Sequence, residues 1–167
     1  TKLQNTIKQA TEHFDKYEYS KVKKVLDEFF WQVLCDNYLE FVKDRLYNPN
    51  LYHKGAKNSA QFGLYEAVLN VLKMFAPLMP YITEEVYSLY FKDKENKESI
   101  HISNWPKYNE NYVDKHSEFV GDLMVDIVQR VRKFKSEKQI SLKEDLSKII
   151  IKCSEKDRKL LELIIQD

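Results

Sequence analysis

A mainly α helical bundle with a small C-terminal α/β appendage is the fold class this sequence predicts, on three observations. Gly and Pro are scarce, three and four in 167 residues, too few to punctuate a many-turned β fold. Apolar residues recur three and four apart through most of the chain, the period of a helix face. One short β-branched run near the end, "LSKIIIKC", breaks that period and reads as a strand over 147–153. The length suits a single well-buried domain, read as a bundle over 1–146 and the start of the appendage over 147–167.

Leu3, Ile7, Ala10 and Phe14 share one face of a first helix that stops near "DKYEY". A second helix starts with Ser20 as N-cap and runs to Tyr47, ahead of Asn48-Pro49. On a wheel of about 100° per residue, Phe30, Trp31, Leu34, Cys35, Tyr38, Leu39, Phe41, Val42 and Leu46 make a broad apolar arc. Gln32, Asp36, Asn37, Glu40, Lys43 and Asp44 form a narrow polar stripe opposite. Residues 48–58 are a loop by their Pro, Gly and Asn content, and a third helix runs from Ser59 to Ala76. Pro77 and Pro80 bend the chain before a fourth helix around 81–91, and "SIHISNWP" is too short and too β-branched for a helix. A fifth helix spans Asp114 to Lys138, and the Ser-x-x-Asp signal at Ser154 opens a sixth over 155–166. A lone strand cannot satisfy its own backbone, so 147–153 pairs either with "SIHIS" or, the favoured choice, with sequence beyond residue 167.

A net charge of +1 from 27 basic and 26 acidic residues excludes a uniformly basic nucleic-acid binder and leaves room for a local basic patch. Cys35 and Cys153 lie far apart, and His13, His53, His101 and His116 are scattered, so no metal or nucleophile motif is complete. Both cysteines read as free, mostly buried thiols of a reducing, cytoplasmic compartment. No 18-residue apolar run spans a membrane, and the opening "TKLQNTIKQA" does not resemble a signal peptide. The chain begins inside a helix without Met, which reads as a piece of something longer.

Chemistry is thin. Glu84-Glu85 and Glu144-Asp145 are adjacent pairs that point apart on helices, favouring a solvated face over an acid/base pair, and "GLY" at 63–65 is a Gly within a helix rather than a phosphate loop. Trp31, Trp105 and Cys35 read as packing residues. The run "QRVRKFKSEK", 129–138, is either a solvated helix end favoured by the macrodipole or a phosphate-contacting patch. A second cluster sets Lys43 and Arg45 beside Tyr47, Tyr52, His53, Lys54 and Lys57, basic residues interleaved with rings able to stack on bases; a polar loop explains it as well.

Four strings carry a resemblance. "FFWQVLCDNYLEFVKDRLY", "FAPLMPYITEEVY", "SIHISNWP" and "VRKFKSEKQISL", in this order and at these spacings, resemble the helical anticodon-binding domain of class I aminoacyl-tRNA synthetases over nearly the whole chain. Within that group the chain is most similar to the valyl enzymes, while "KDRLY" and "SAQFGLY" keep the isoleucyl enzymes as an alternative. The resemblance implies a module that docks the anticodon stem-loop of tRNA(Val), beside the catalytic and editing domains of a parent ligase. It implies that the parent joins valine to tRNA through an aminoacyl-adenylate, using ATP and Mg²⁺. It further implies a preceding helix that supplies part of the anticodon-reading surface. The His-Ile-Gly-His-like and Lys-Met-Ser-Lys-Ser-like catalytic motifs do not occur here, so no catalytic residue, cofactor or metal ligand is assigned and the segment itself reads as a non-enzyme.

Charge placement together with that resemblance singles out Lys2, Asn5 and Lys8 on the first helix, Lys43 and Arg45 on the second, and Arg130, Arg132, Lys133 and Lys135 on the fifth. Asp36 and Glu40 either accept hydrogen bonds from bases or hold cations of a neighbouring helix. A helical protein–protein module, predicting a saturable protein partner and no RNA affinity, is the competing class. Neither DNA nor a membrane is an expected partner.

Overall fold

The computed structural model describes residues 1–162, which fall into two compact units, 1–113 and 114 onward, each taken by itself below. In the first, α1 (Lys2–Asp15) and α2 (Tyr19–Glu28) are joined by a three-residue turn. The expected Ser20 cap is displaced by two residues: Glu18 is the N-cap, its carbonyl accepting the Lys21 and Val22 amides at 2.9 and 3.1 Å. Beyond α2 the chain winds on without a break through a π-helical segment, Phe29–Tyr38, into α3 (Leu39–Tyr47).

That π segment corrects the wheel. Its ladder runs from each N–H to the carbonyl five residues back, as Leu39 to Leu34 shows, so its side chains rotate off the faces a 3.6-residue period assigns. Phe29 and Leu34, five apart, turn inward, while Trp31 is 59% exposed with only an edge contact to Phe30. Trp31, expected as a packing residue, therefore lies mostly in solvent.

α4 (Ala56–Phe75) follows a loop holding one 3₁₀ turn, Pro49–Leu51, and it starts at Gly55, whose φ of 100° suits glycine. Gly63, inside α4 as expected, has a second reason: a Cβ there would stand 2.2 Å from the Tyr38 Oη. Ile7 and Ala10 of α1, Val22 and Leu26 of α2, Phe29 and Leu34 of the π segment, and Ala67, Val71, Met74 and Phe75 of α4 form the main core. Pro80 opens α5 (Pro80–Tyr90) at the position where a missing N–H costs nothing, and a short α6 (Lys92–Glu95) follows. Leu69, Ala76, Tyr87, Phe91 and Ile100 make a second cluster.

"SIHIS" is neither helix nor strand but a single 3₁₀ turn, Ile100–Ile102. The Glu84 carboxylate accepts from the Ser99 hydroxyl at 2.7 Å and the Ile100 amide at 3.0 Å. Glu84 is thus a structural acceptor rather than one of a solvated pair, and the Ser99 hydroxyl first, then the Ile100 N–H, hold its carboxyl below the usual range. The chain then returns to α1: the Trp105 indole donates to Thr11 Oγ1 at 2.9 Å and packs edge-on to Phe14, and the Asn109 amide donates to buried Gln4 at 2.7 Å.

The second unit is built on α7 (Lys115–Glu137), capped by Asp114, whose carboxylate accepts from the His116 and Ser117 amides at 2.9 and 3.3 Å. α8 (Glu155–Leu161) is capped as expected by Ser154, which accepts from the Asp157 amide; the expected continuation over 163–166 lies outside the described residues. The strand expected at 147–153 does not form: among the described residues there is no strand, and Ile149, Ile150 and Ile151 are exposed. Three β-branched residues supply propensity, but a strand also needs a neighbour for its N–H and C=O groups, and no described residue supplies one.

Candidate nucleic-acid interface

The first unit carries Lys2, Asn5, Lys8, Lys43 and Arg45. Lys2 and Asn5 stand on the first turns of α1 and line a groove of ≈ 250 Å³ with Gln9, Val25, Glu28, Gln32 and Val33, a mixture of amides, apolar side chains, one cation and one carboxylate. Lys8 is exposed on the same helix but outside that groove. The opposite wall comes from the end of α2 and the start of the π segment, which brings Gln32 to the groove.

Lys43 pairs with Glu40 at 2.5 Å on the surface of α3, so Glu40 holds a cation of its own helix rather than of a neighbour. Arg45 is half-buried, and its positive charge opposes the burial that pushes the Tyr38 phenol up. Asp44 accepts from the Tyr52 hydroxyl and from the Asn48 amide, each at 2.5 Å, and these two bonds hold its carboxyl below the usual range. The loop is tied at this point to α3, with Tyr47 left 80% exposed beside it. Asp44 and Asn48 stand four apart at the helix end, a spacing that lets their side chains meet. Cys35 is half-buried, and burial, with the Asp36 carboxylate adding to it, pushes its thiol up and away from reactivity. Cys153 is exposed, contrary to the expectation of burial.

The second unit carries Arg130, Arg132, Lys133 and Lys135. Arg130 is bound to Asp126 at 2.8 Å and Lys133 lies 4.0 Å from Glu137, both one turn along α7 and both highly exposed. Lys135 sits otherwise: it is 8% exposed, and its ammonium donates to the Leu142 carbonyl at 3.0 Å and to the Glu144 carbonyl. The five cations of the run 129–138 are thus split, Arg130, Arg132, Lys133 and Lys138 exposed or intermediate and Lys135 folded under the turn that ends the helix. That turn takes Gln139 through φ 56°, with the Ile140 amide returning to the Lys135 carbonyl at 2.8 Å, a hydrogen-bonded helix stop that carries the backbone over the ammonium.

Among the described residues no three His, Cys, Asp or Glu side chains converge as metal ligands, and no helix is long and apolar enough to cross a membrane.

A family model described as the anticodon-binding domain of tRNA ligase matches residues 1–150. The chain belongs to this family. Similar members of the anticodon-binding family include the valine–tRNA ligase of Pyrococcus abyssi, 36% identical over 164 residues, which are 97% of this chain and 18% of that ligase. The valine–tRNA ligase of Wolbachia sp. subsp. Brugia malayi is 37% identical over 161 residues, 96% of this chain and 18% of that protein. That of Ehrlichia ruminantium (strain Gardel) is 40% identical over 161 residues, 94% of this chain and 19% of that protein. The chain therefore spans under a fifth of the length of the curated relatives it matches.

Proposed function

We propose that this chain is the module by which a valine–tRNA ligase grips the anticodon stem-loop of tRNA(Val). The observation that carries the reading is the family match over 1–150, and the valine–tRNA ligase names of its relatives support valine over the isoleucyl alternative. Recognition would use phosphate charge and the shape of the stem-loop, with splayed bases read by amides and rings. Lys2, Asn5, Lys8, Lys43 and Arg45 contact RNA from the first unit; Arg130, Arg132 and Lys133 do so from the second, while Lys135 holds the turn behind them. The ion pairs of Lys43, Arg130 and Lys133 are surface pairs, which contribute roughly 0.5 kcal/mol or less and yield readily to a competing phosphate.

In this reading the whole ligase works in the cytoplasm and consumes valine, tRNA(Val), ATP and Mg²⁺. We assign ATP and Mg²⁺ to the catalytic domain of the longer ligase.

The test is binding of valine, isoleucine and unrelated tRNA transcripts to the chain and to a full-length valine–tRNA ligase across a salt series. A preference for valine tRNA that weakens with salt and disappears on anticodon substitution is the expected result. Joint reversal of Lys8, Lys43, Arg130 and Lys133 to Glu is expected to flatten the log–log salt slope by about 0.7 to 0.9 per lost phosphate contact. Unchanged affinity and slope in that variant would overturn the assignment.

A further inference from the structure

The sharp turn between α1 and α2 carries an arrangement that lies outside the RNA contacts proposed above. An open groove of ≈ 930 Å³ lies there, lined among others by Phe14, Asp15, Tyr17, Tyr19, Leu78 and Trp105. Its rings meet edge to face in one chain: Trp105 and Phe14 at 4.9 Å and 83°, Phe14 and Tyr19 at 5.8 Å and 66°, Tyr19 and Tyr17 at 6.4 Å and 80°. Rings set near right angles present several electron-rich faces to one space, the arrangement that favours a cation. Among the described residues the one charged side chain in the lining is the exposed carboxylate of Asp15, with no Lys, Arg or His beside it there. The Trp105 wall is held in place by the indole bond to Thr11.

The backbone at Tyr17 adds an independent observation. Tyr17 has φ 59°, the left-handed region where a bulky residue is a genuine outlier. It occupies the first residue beyond the α1 cap, with its own amide donating to the Phe14 carbonyl and the Glu18 amide to the His13 carbonyl, both at 2.9 Å. Glycine or asparagine is the residue this double-bonded helix stop favours. Packing does not account for the tyrosine, since it is 78% exposed and meets another ring only at the edge of Tyr19. A strained bulky residue kept at the rim of a groove points to what the groove holds.

We infer that this groove is a docking site for a basic, extended peptide segment that inserts an Arg or Lys side chain between Tyr17, Tyr19 and Trp105, against Asp15. The ring faces and the carboxylate attract the cation, while Leu78 and Phe14 cover an apolar neighbour of it. A nucleic acid is disfavoured, because a phosphate would meet a carboxylate with no basic residue in the lining.

The probe is the peptide acetyl-Ala-Arg-Leu-Ala-amide, titrated against the chain carrying Trp31→Phe, so that Trp105 alone reports by fluorescence. Its Arg→Glu counterpart and a uridine dodecamer serve as competitors. Saturable quenching by the basic peptide, with both competitors weaker by about tenfold or more, is the expected result. Tyr17→Gly is expected to keep or raise Tm, by relieving the left-handed backbone, and to lose about tenfold in binding. Asp15→Asn, which leaves the backbone alone, is expected to weaken binding as well and decides the matter should Tyr17→Gly fold poorly. Absence of saturable quenching, wild-type binding in Asp15→Asn or in a folded Tyr17→Gly, or tighter Tyr17-dependent binding of the uridine oligomer would each overturn the inference.

Discussion

The continuous helical stretch Tyr19–Tyr47 and the helix α7 present the proposed RNA contacts by different means. In the first, Val22, Leu26, Phe29, Leu34 and Val42 are buried, and the polar residues occupy what the core leaves over. In α7 only Val120 and Lys135 are buried; Leu123, Met124, Ile127 and Val131 are intermediate, and Phe134 is 45% exposed. α7 owes more to local devices, an Asp114 cap at one end and Lys135 under the turn at the other. A cation on Tyr19–Tyr47 is placed by tertiary packing, one on α7 mainly by the helix itself. Packing defects should therefore be costly in the first stretch and charge changes cheap in both.

The largest effect expected is at the core. Leu26→Ala, at a fully buried position, should cost about 2 to 5 kcal/mol by chemical denaturation. Leu142→Ala, 65% exposed beyond α7, should stay within about 0.5 kcal/mol. Equal losses at the two sites would break the contrast.

A middle-sized effect comes where α4 meets the π segment. Gly63→Ala puts a methyl group against the Tyr38 hydroxyl, and overpacking of this kind costs about 1 to 3 kcal/mol. Adding Tyr38→Phe removes the 2.2 Å contact and leaves the ring carbon at 3.3 Å, so the double variant should recover much of the loss. Failure of that rescue in a thermal melt would mean that Gly63 serves backbone geometry rather than the tyrosine.

The smallest effect is at Glu84, which closes the first unit over "SIHIS". Its folded carboxyl titrates below the unfolded one because the Ser99 hydroxyl and the Ile100 amide bond the ionised form. The folded state therefore binds fewer protons, so this contribution is complete above the unfolded carboxylate range and is lost as pH falls through the depressed folded value. Glu84→Gln should lower Tm modestly at neutral pH and flatten its decline into acid. A parallel shift at all pH values would show that the charge does not matter.

Much of the helical plan was legible from spacing. The face Leu3–Ile7–Ala10–Phe14, the Ser154 cap and the bend at Pro77 and Pro80 are local features, set by residues within a few turns of one another. The proposed cations were legible as charges but not as placements. Lys133 and Lys135 look alike in "VRKFKSEK", yet one points to water and the other to two carbonyls, because only the turn through Gln139 brings those carbonyls round.

The sequence by itself determined the helical class, most element ends and the kinship with anticodon-binding domains, because periodicity, capping and motif order are short-range properties written along the chain. Tertiary structure alone decided the π segment and with it the exposure of Trp31, the conversion of "SIHIS" into a turn gripped by Glu84, and the ring-lined groove at Tyr17. Each depends on groups far apart in sequence whose hydrogen bonds and volumes must be satisfied together, Tyr38 against Gly63, Glu84 against Ser99 and Phe14 against Trp105. No window of a few residues contains both partners.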